Sequence, residues 1–332
     1  MTETEAAAAV AAPEPVLPWH AGLWQQIEGT ARSGRLGHAL LLCGNAGVGK
    51  RVFAERLARA LLCRTAPGAG RPSFDACGGC SACHYFEAGT HPGYRRLALD
   101  TTDAKSSIPV DAVRDGCTFL SMTSTNGSAK VLVIDRADDL NGSGLNAVLK
   151  TLEEPPANTH LILTSETPAQ LPATIRSRCQ IVRIAAPTSI AVATYLASRF
   201  STLDAAQRGA ASRYAAGSPL GAARLLETPE AFDKHRAWSA QLDELRAGTL
   251  AASTFANSIS RDDADAFIRF LTVTAWHEAR GQTVDGRETA WQAVMNEALA
   301  AAAKLAANGH VPLVLDSLLI ATSAVLRQKR KA

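Results

Sequence analysis

Residues Lys130–Gln180 read KVLVIDRADDLNGSGLNAVLKTLEEPPANTHLILTSETPAQLPATIRSRCQ, and this stretch decides the fold. Val131–Asp135 (VLVID) is an apolar run closed by an acid, the pattern of a strand buried on both faces. Leu145, Val148, Leu149 and Leu152 recur at helical spacing and stop at Glu153-Glu154-Pro155-Pro156, where proline ends a helix. His160–Thr164 is a second buried strand, Pro168–Ser177 reads as a helix, and Gln180–Ile184 as a last strand. In doubly wound nucleotide-binding sheets, an aspartate placed like Asp135 sits beside a phosphate loop and supports magnesium. A hydrolytic member of this class carries a glutamate next, to orient water. Here that position is Arg136, which cannot accept a proton.

The phosphate loop itself lies upstream. His38–Cys43 (HALLLC) is a short apolar strand that runs into Gly44-Asn45-Ala46-Gly47-Val48-Gly49-Lys50, followed by a helix with Val52, Phe53, Leu57, Leu61 and Leu62 apolar. Gly44, Gly47 and Gly49 let backbone amides face an anion, the helix N-terminus adds positive charge, and Lys50 reaches the phosphates. The next position needs a hydroxyl to ligate magnesium but holds Arg51, a cation that repels another. With Arg51 and Arg136 both out of place, Asp135 reads better as a capping or salt-bridged carboxylate than as a metal ligand. Nucleotide binding without turnover and a loop kept only for its shape both stay open. Thr164-Ser165, at the end of a strand, is the place where a γ-phosphate is sensed, or simply a cap.

Cys63, Cys77, Cys80 and Cys83 follow the spacing C-x13-C-x2-C-x2-C. Four thiolates within reach of one ion suit a structural zinc site; an iron–sulfur cluster is the chemical rival. His84 adjoins the group and is a substitute ligand. Cys43, Cys117 and Cys179 stand alone in apolar contexts and read as packed thiols.

The bulk properties are ordinary. The chain has 332 residues, 47% hydrophobic and 20% charged, with a net charge of +3, enough for two or three domains and too little charge to argue for nucleic acid by itself. Residues 1–18 (MTETEAAAAVAAPEPVLP) read as a disordered tail without the basic start of a secretory signal. No apolar run reaches the roughly 18 residues of a membrane span. A cytoplasmic location with reduced cysteines is therefore expected.

Taken together, the run from His38 to about Ala186 resembles the AAA+ module of the clamp-loader subunits of bacterial DNA polymerase III. LKTLEEPP at Leu149–Pro156 and TIRSRCQ at Thr174–Gln180 are the most specific phrases. The resemblance implies an α/β AAA+ module over 19–186, with a parallel five-stranded sheet, helices on both faces and a zinc-binding insertion. It further implies a small helical lid over 187–230 and an all-α collar for oligomerisation over 231–332. Clamp loaders use ATP to open a ring-shaped clamp and place it on primed DNA. Their gamma/tau subunits are the ATPases, with a hydroxyl residue in the place of Arg51 and a glutamate in that of Arg136. A chain lacking both resembles the family's non-hydrolysing stator, which contacts a gamma/tau neighbour and the delta subunit and reaches DNA only through the complex. By position, Arg178 would then serve the neighbour's ATP site as an arginine finger, the four cysteines would hold zinc, and any ATP bound here would not be hydrolysed. Leu220, in Ala215–Leu226 (AGSPLGAARLL), takes the slot of the family's second sensor arginine, with Arg224 one turn later.

The helices expected beyond the module are Ser189–Phe200, Asp204–Ala216, Leu220–Leu226, Ala237–Arg246, Ala264–Arg280, Glu288–Asn308 and Pro312–Arg327, before a basic tip at Arg327–Lys331. Two other functions remain in view: a gamma/tau-like ATPase with altered motifs, and a zinc-dependent DNA-binding protein. The cysteine loop of the second lacks clustered cations or stacking aromatics.

Overall fold

The computed structural model describes residues 16–65, 74–99, 107–122, 129–280 and 290–328. The chain divides into two compact units between Pro187 and Thr188.

In the first unit the apolar runs form five strands, β1 (Ala39–Cys43), β2 (Tyr94–Leu97), β3 (Lys130–Ile134), β4 (Thr159–Ser165) and β5 (Gln180–Arg183). All pair in parallel, in the order β2-β3-β4-β1-β5. The helices between them are α1 (Ala21–Arg32), α2 (Lys50–Leu62), α3 (Ser81–Glu87), α4 (Val110–Ser121), α5 (Gly142–Glu153) and α6 (Ala173–Arg176). Alternate residues of each strand feed opposite cores. Leu40, Leu42, Val131, Val133 and Ile162 pack with Phe53 and Leu57 of α2, whereas Leu41, Leu132, Ile134 and Leu163 pack with Val113 of α4 and Val148 of α5. Helices thus cover both faces, and the sheet is the expected parallel five-stranded α/β sheet. Cys43 lies opposite Ser165, and Ile134 opposite Leu163. That register brings Gly44, Asp135 and Glu166 to one rim, at the carboxyl ends of the strands.

Local chemistry moves several boundaries. The helix expected over Pro168–Ser177 is broken: a 3-10 turn spans Pro168–Gln170, and α6 begins only at Ala173. Pro172 holds Leu171 extended, with ψ at 141°, as the residue before proline is generally held. The sequence over Tyr94–Asp100 (YRRLALD) reads as a strand; β2 stops at Leu97, and Asp100 lies outside the described residues. α3 forms inside the cysteine loop and carries Cys83. Leu17 and Pro18, read as the end of a disordered tail, are instead ordered, and the Leu17 side chain is buried. Residues 1–15, and the basic tip beyond Gln328, lie outside the described residues.

The second unit is helical: α7 (Ser189–Arg199), α8 (Ala205–Tyr214), α9 (Pro219–Glu227), α10 (Pro229–Ala247), α11 (Ala252–Ser258), α12 (Ala264–Arg280), α13 (Ala290–Ala306) and α14 (Val311–Gln328). α10 is longer than the expected Ala237–Arg246. It starts on Pro229, whose missing N–H costs nothing in a first turn, and it stops at Gly248, left-handed with φ of 86°. α11, a seven-residue helix, is too short for its periodicity to stand out. Trp238, Phe255, Phe267, Phe270 and Leu319 centre one core that spans α10 to α14. Among the described residues, no helix is long and apolar enough to cross a membrane.

Candidate functional site

The loop between β1 and α2 has the shape its glycines predict. Gly49 is left-handed with φ of 90°, and a side chain there would overlap Leu17. A side chain at Gly44 would meet the Ile184 carbonyl at 2.7 Å. The chain before α1 braces the loop from outside. The Trp19 indole N–H and the His20 Nε2–H both donate to the Val48 carbonyl, each at 2.9 Å. Burial pushes the His20 pKa down, which keeps the ring neutral.

Lys50 points back into its own loop. Its Nζ donates to the carbonyls of Gly44 and Asn45, each at 2.9 Å, and lies 3.4 Å from Glu166 Oε1.

Asp135 is engaged on two sides. Thr164 donates its hydroxyl to Asp135 Oδ1 at 2.8 Å and accepts the Arg136 N–H at 2.8 Å. Arg96, from β2, lies 3.9 Å from Asp135 Oδ2 and 3.8 Å from Glu55, and Glu55 pairs with Arg51 at 3.4 Å. A chain of alternating charge, Arg51–Glu55–Arg96–Asp135, therefore stands where a hydrolytic site would hold magnesium. This arrangement disfavours a divalent cation: Asp135 already faces the Arg96 guanidinium, and the Arg51 guanidinium replaces the hydroxyl ligand. Arg136 itself is left-handed, with φ of 58°, a position uncommon for a residue with a side chain. Its guanidinium pairs with Asp139 at 3.0 Å. Neither Arg96 nor Glu55 was singled out in the sequence, because their relation to Asp135 exists only across the β2–β3 pairing.

Thr164 and Ser165 are fully buried, and their hydroxyls donate to Asp135 and Asp138. Asp138 gathers the end of β4. Its Oδ1 accepts the hydroxyls of Ser165 at 2.7 Å and Thr167 at 3.0 Å, and its Oδ2 accepts the Glu166 N–H at 2.7 Å.

Arg178 follows α6 and remains accessible, with 37% of its side chain exposed. It donates to the Thr174 carbonyl at 3.1 Å and pairs with Glu153, at the end of α5, at 2.9 Å. Leu220 is half-buried and Arg224 exposed on α9, in the second unit.

The four cysteines converge as their spacing predicts: the Sγ atoms of Cys63, Cys77, Cys80 and Cys83 all lie within 4.8 Å of one another. The Sγ–Sγ distances are 4.0 Å for Cys63–Cys80, 4.0 Å for Cys77–Cys83 and 3.6 Å for Cys80–Cys83. A tetrahedral zinc with Zn–S bonds of about 2.3 Å separates its sulfurs by about 3.8 Å, so the donor set fits one metal ion. The Thr65 hydroxyl, helped by nearby N–H groups, holds the Cys77 thiol down at about 5, while burial pushes Cys83 up to about 12. The loop is tied to the body beside it. Arg56 forks onto Asp75 through two 2.7 Å bonds and stacks over Trp24 at 3.8 Å, and Arg59 pairs with Glu87. Cys43, Cys117 and Cys179 are free thiols, buried or half-buried.

Known proteins match this chain. Residues 19–188, just over half of it, fit the family described as DNA polymerase III, delta subunit. DNA polymerase III subunit delta' of Pseudomonas aeruginosa is 40% identical over 210 residues, covering 63% of this chain and 61% of the relative. Subunit delta' of Escherichia coli is 37% identical over 210 residues, covering 63% of this chain and 60% of the relative. The match thus spans less than two thirds of either relative's length. A DNA polymerase III gamma subunit-related protein of Thermotoga maritima aligns with 92% of this chain and 99% of its own, at a TM-score of 0.51 and 16% identity, a likeness of fold alone. With the sheet, the phosphate-type loop and the cysteine insertion all inside the matched segment, the chain belongs to the DNA polymerase III delta-subunit family, among relatives named as subunit delta'.

Proposed function

We propose that this chain is a non-hydrolysing stator subunit of a clamp loader, which helps place a sliding clamp on primed DNA in the cytoplasm. Its contribution to ATP chemistry is made in trans. Arg178 reaches the ATP site of a gamma/tau neighbour and stabilises charge on the transferring phosphoryl group, as an arginine finger does. The observation that carries this reading is the contrast between two places on one unit. The chain's own site is closed by Arg51, Glu55, Arg96 and Asp135, whereas Arg178 stands accessible beyond α6.

The other assignments follow from that role. Cys63, Cys77, Cys80 and Cys83 hold a structural zinc, which supplies the loop's missing core. ATP at Gly44, Gly47, Gly49 and Lys50, where it binds, stays intact, since Asp135 is committed to Arg96. Helices α7 to α9 act as the lid and α10 to α14 as the collar, against gamma/tau and delta. Leu299 on α13 and Leu313 and Ile320 on α14 are more than half exposed, apolar surface of the kind a collar buries. DNA is reached through the complex. A DNA-binding role for the cysteine loop is disfavoured, because Arg56 and Arg59 beside it are already paired with acids.

Steady ATP hydrolysis by the isolated chain tests the reading. None is expected; turnover that Lys50→Ala abolishes would overturn it.

A further inference from the structure

The phosphate-type loop poses a question that the trans role leaves open: its glycines and lysine persist where no hydrolysis follows. The surroundings of Lys50 answer it. The side chain is 6% exposed, and its three N–H groups are matched by the carbonyls of Gly44 and Asn45 and by Glu166 Oε1. An ammonium this buried requires a compensating charge. The carbonyls supply dipoles; the full negative charge comes from Glu166. That carboxylate is aimed by a fixed backbone, because Asp138 binds residues 165, 166 and 167 through three hydrogen bonds of 2.7–3.0 Å.

We infer that Glu166 is an internal anion for this loop. It takes the place at Lys50 that a nucleotide phosphate would take, and so keeps the loop shaped and nucleotide-free at rest. An incoming phosphate must displace Glu166 or sit beside it, and like charges at one site disfavour each other. Glu166 is one-third exposed, so solvent screens part of that effect. Neutralising Glu166 should therefore raise affinity for a polyphosphate about tenfold rather than by many orders of magnitude. Magnesium is not needed for this binding, since Arg51 and Arg96 occupy its place.

The test is titration of the full chain with a fluorescent ADP analogue in the presence of EDTA. Glu166→Gln, which keeps the shape, and Glu166→Ala, which frees the space, are compared with the parent chain. Both are expected to bind about tenfold tighter, and Lys50→Ala in either background to remove the gain. Equal or weaker binding by both variants, no binding by any of the chains, or a gain that survives Lys50→Ala would each overturn the inference. Melting curves confirm that the variants are folded. The titration uses the isolated chain and does not involve Arg178, so its outcome is independent of the stator reading.

Discussion

Arg178 and Glu153 are joined by a 2.9 Å ion pair that ties the end of α6 to the end of α5. The two phrases most characteristic of this sequence, LEEPP and SRC, thus meet in one contact. A second bond, to the Thr174 carbonyl at 3.1 Å, fixes the guanidinium from the other side. The arginine is accessible and engaged by these two contacts.

On the proposed role of Arg178, Glu153 is expected to act as its positioning residue. As a half-exposed pair it contributes about 0–1 kcal/mol to stability, so Glu153→Ala should leave the melting temperature nearly unchanged. In a reconstituted loader the same change should lower the maximal rate of ATP turnover about three- to tenfold with little effect on KM, as expected when a transition-state contact is misaligned. Steady-state kinetics on the complex reads this directly; an unaltered maximal rate would mean that the pair only decorates the surface.

The cysteine group should carry one zinc per chain. Elemental analysis of the purified protein is expected to find zinc in a 1:1 ratio and no iron, and the solution should be colourless. Cys83→Ser should lose the metal, since four-coordinate closed sites tolerate few substitutions. Chelation should loosen α3 while the sheet persists, because β1, β3 and β4 draw their core from α2, α4 and α5. Iron with visible absorption would instead establish a cluster.

Stability should weaken in mild acid. Burial lowers the pKa of His20, His91, His160 and His235 from the ordinary 6.5. The Gly93 N–H donates to His91 Nδ1 at 3.0 Å, which requires an unprotonated nitrogen. A histidine with a depressed folded pKa binds its proton more readily when unfolded. Its contribution is thus complete above about pH 6.5 and is lost as pH falls through that value toward the folded pKa. Denaturant midpoints should be level from about pH 8 to 7 and decline as the pH falls below about 6.5. His20→Gln, which can still donate to Val48, should flatten part of the decline. A midpoint that rises on acidification would contradict the assignment.

Much of this was legible in the sequence. The strands announced themselves as apolar runs because a sheet buried on both faces admits little else at Leu40, Val133 or Ile162. The cysteine spacing foretold a cluster because Cys77, Cys80 and Cys83 stand three positions apart in succession. Arg51 and Arg136 could be read as losses, since the chemistry at those positions is fixed by the motif. What replaced that chemistry could not be read. Arg96 meets Asp135 only through strand pairing across 39 positions, and Glu166 looks like any acid in a turn until Lys50 folds back to it. The one available hint was its place, directly after a buried strand that ends in Thr164-Ser165. Pro172, visible in the sequence, should have warned that the helix over Pro168–Ser177 would break.

The measurement that bears most directly on the account is ATP turnover by a reconstituted loader in which only the site facing this chain is competent. Arg178→Ala is expected to leave assembly and folding intact and to slow that site on the order of 10³-fold, the scale of a lost arginine finger. An unchanged rate in the correctly assembled complex would contradict the central claim, that this chain acts on a neighbour's nucleotide through Arg178.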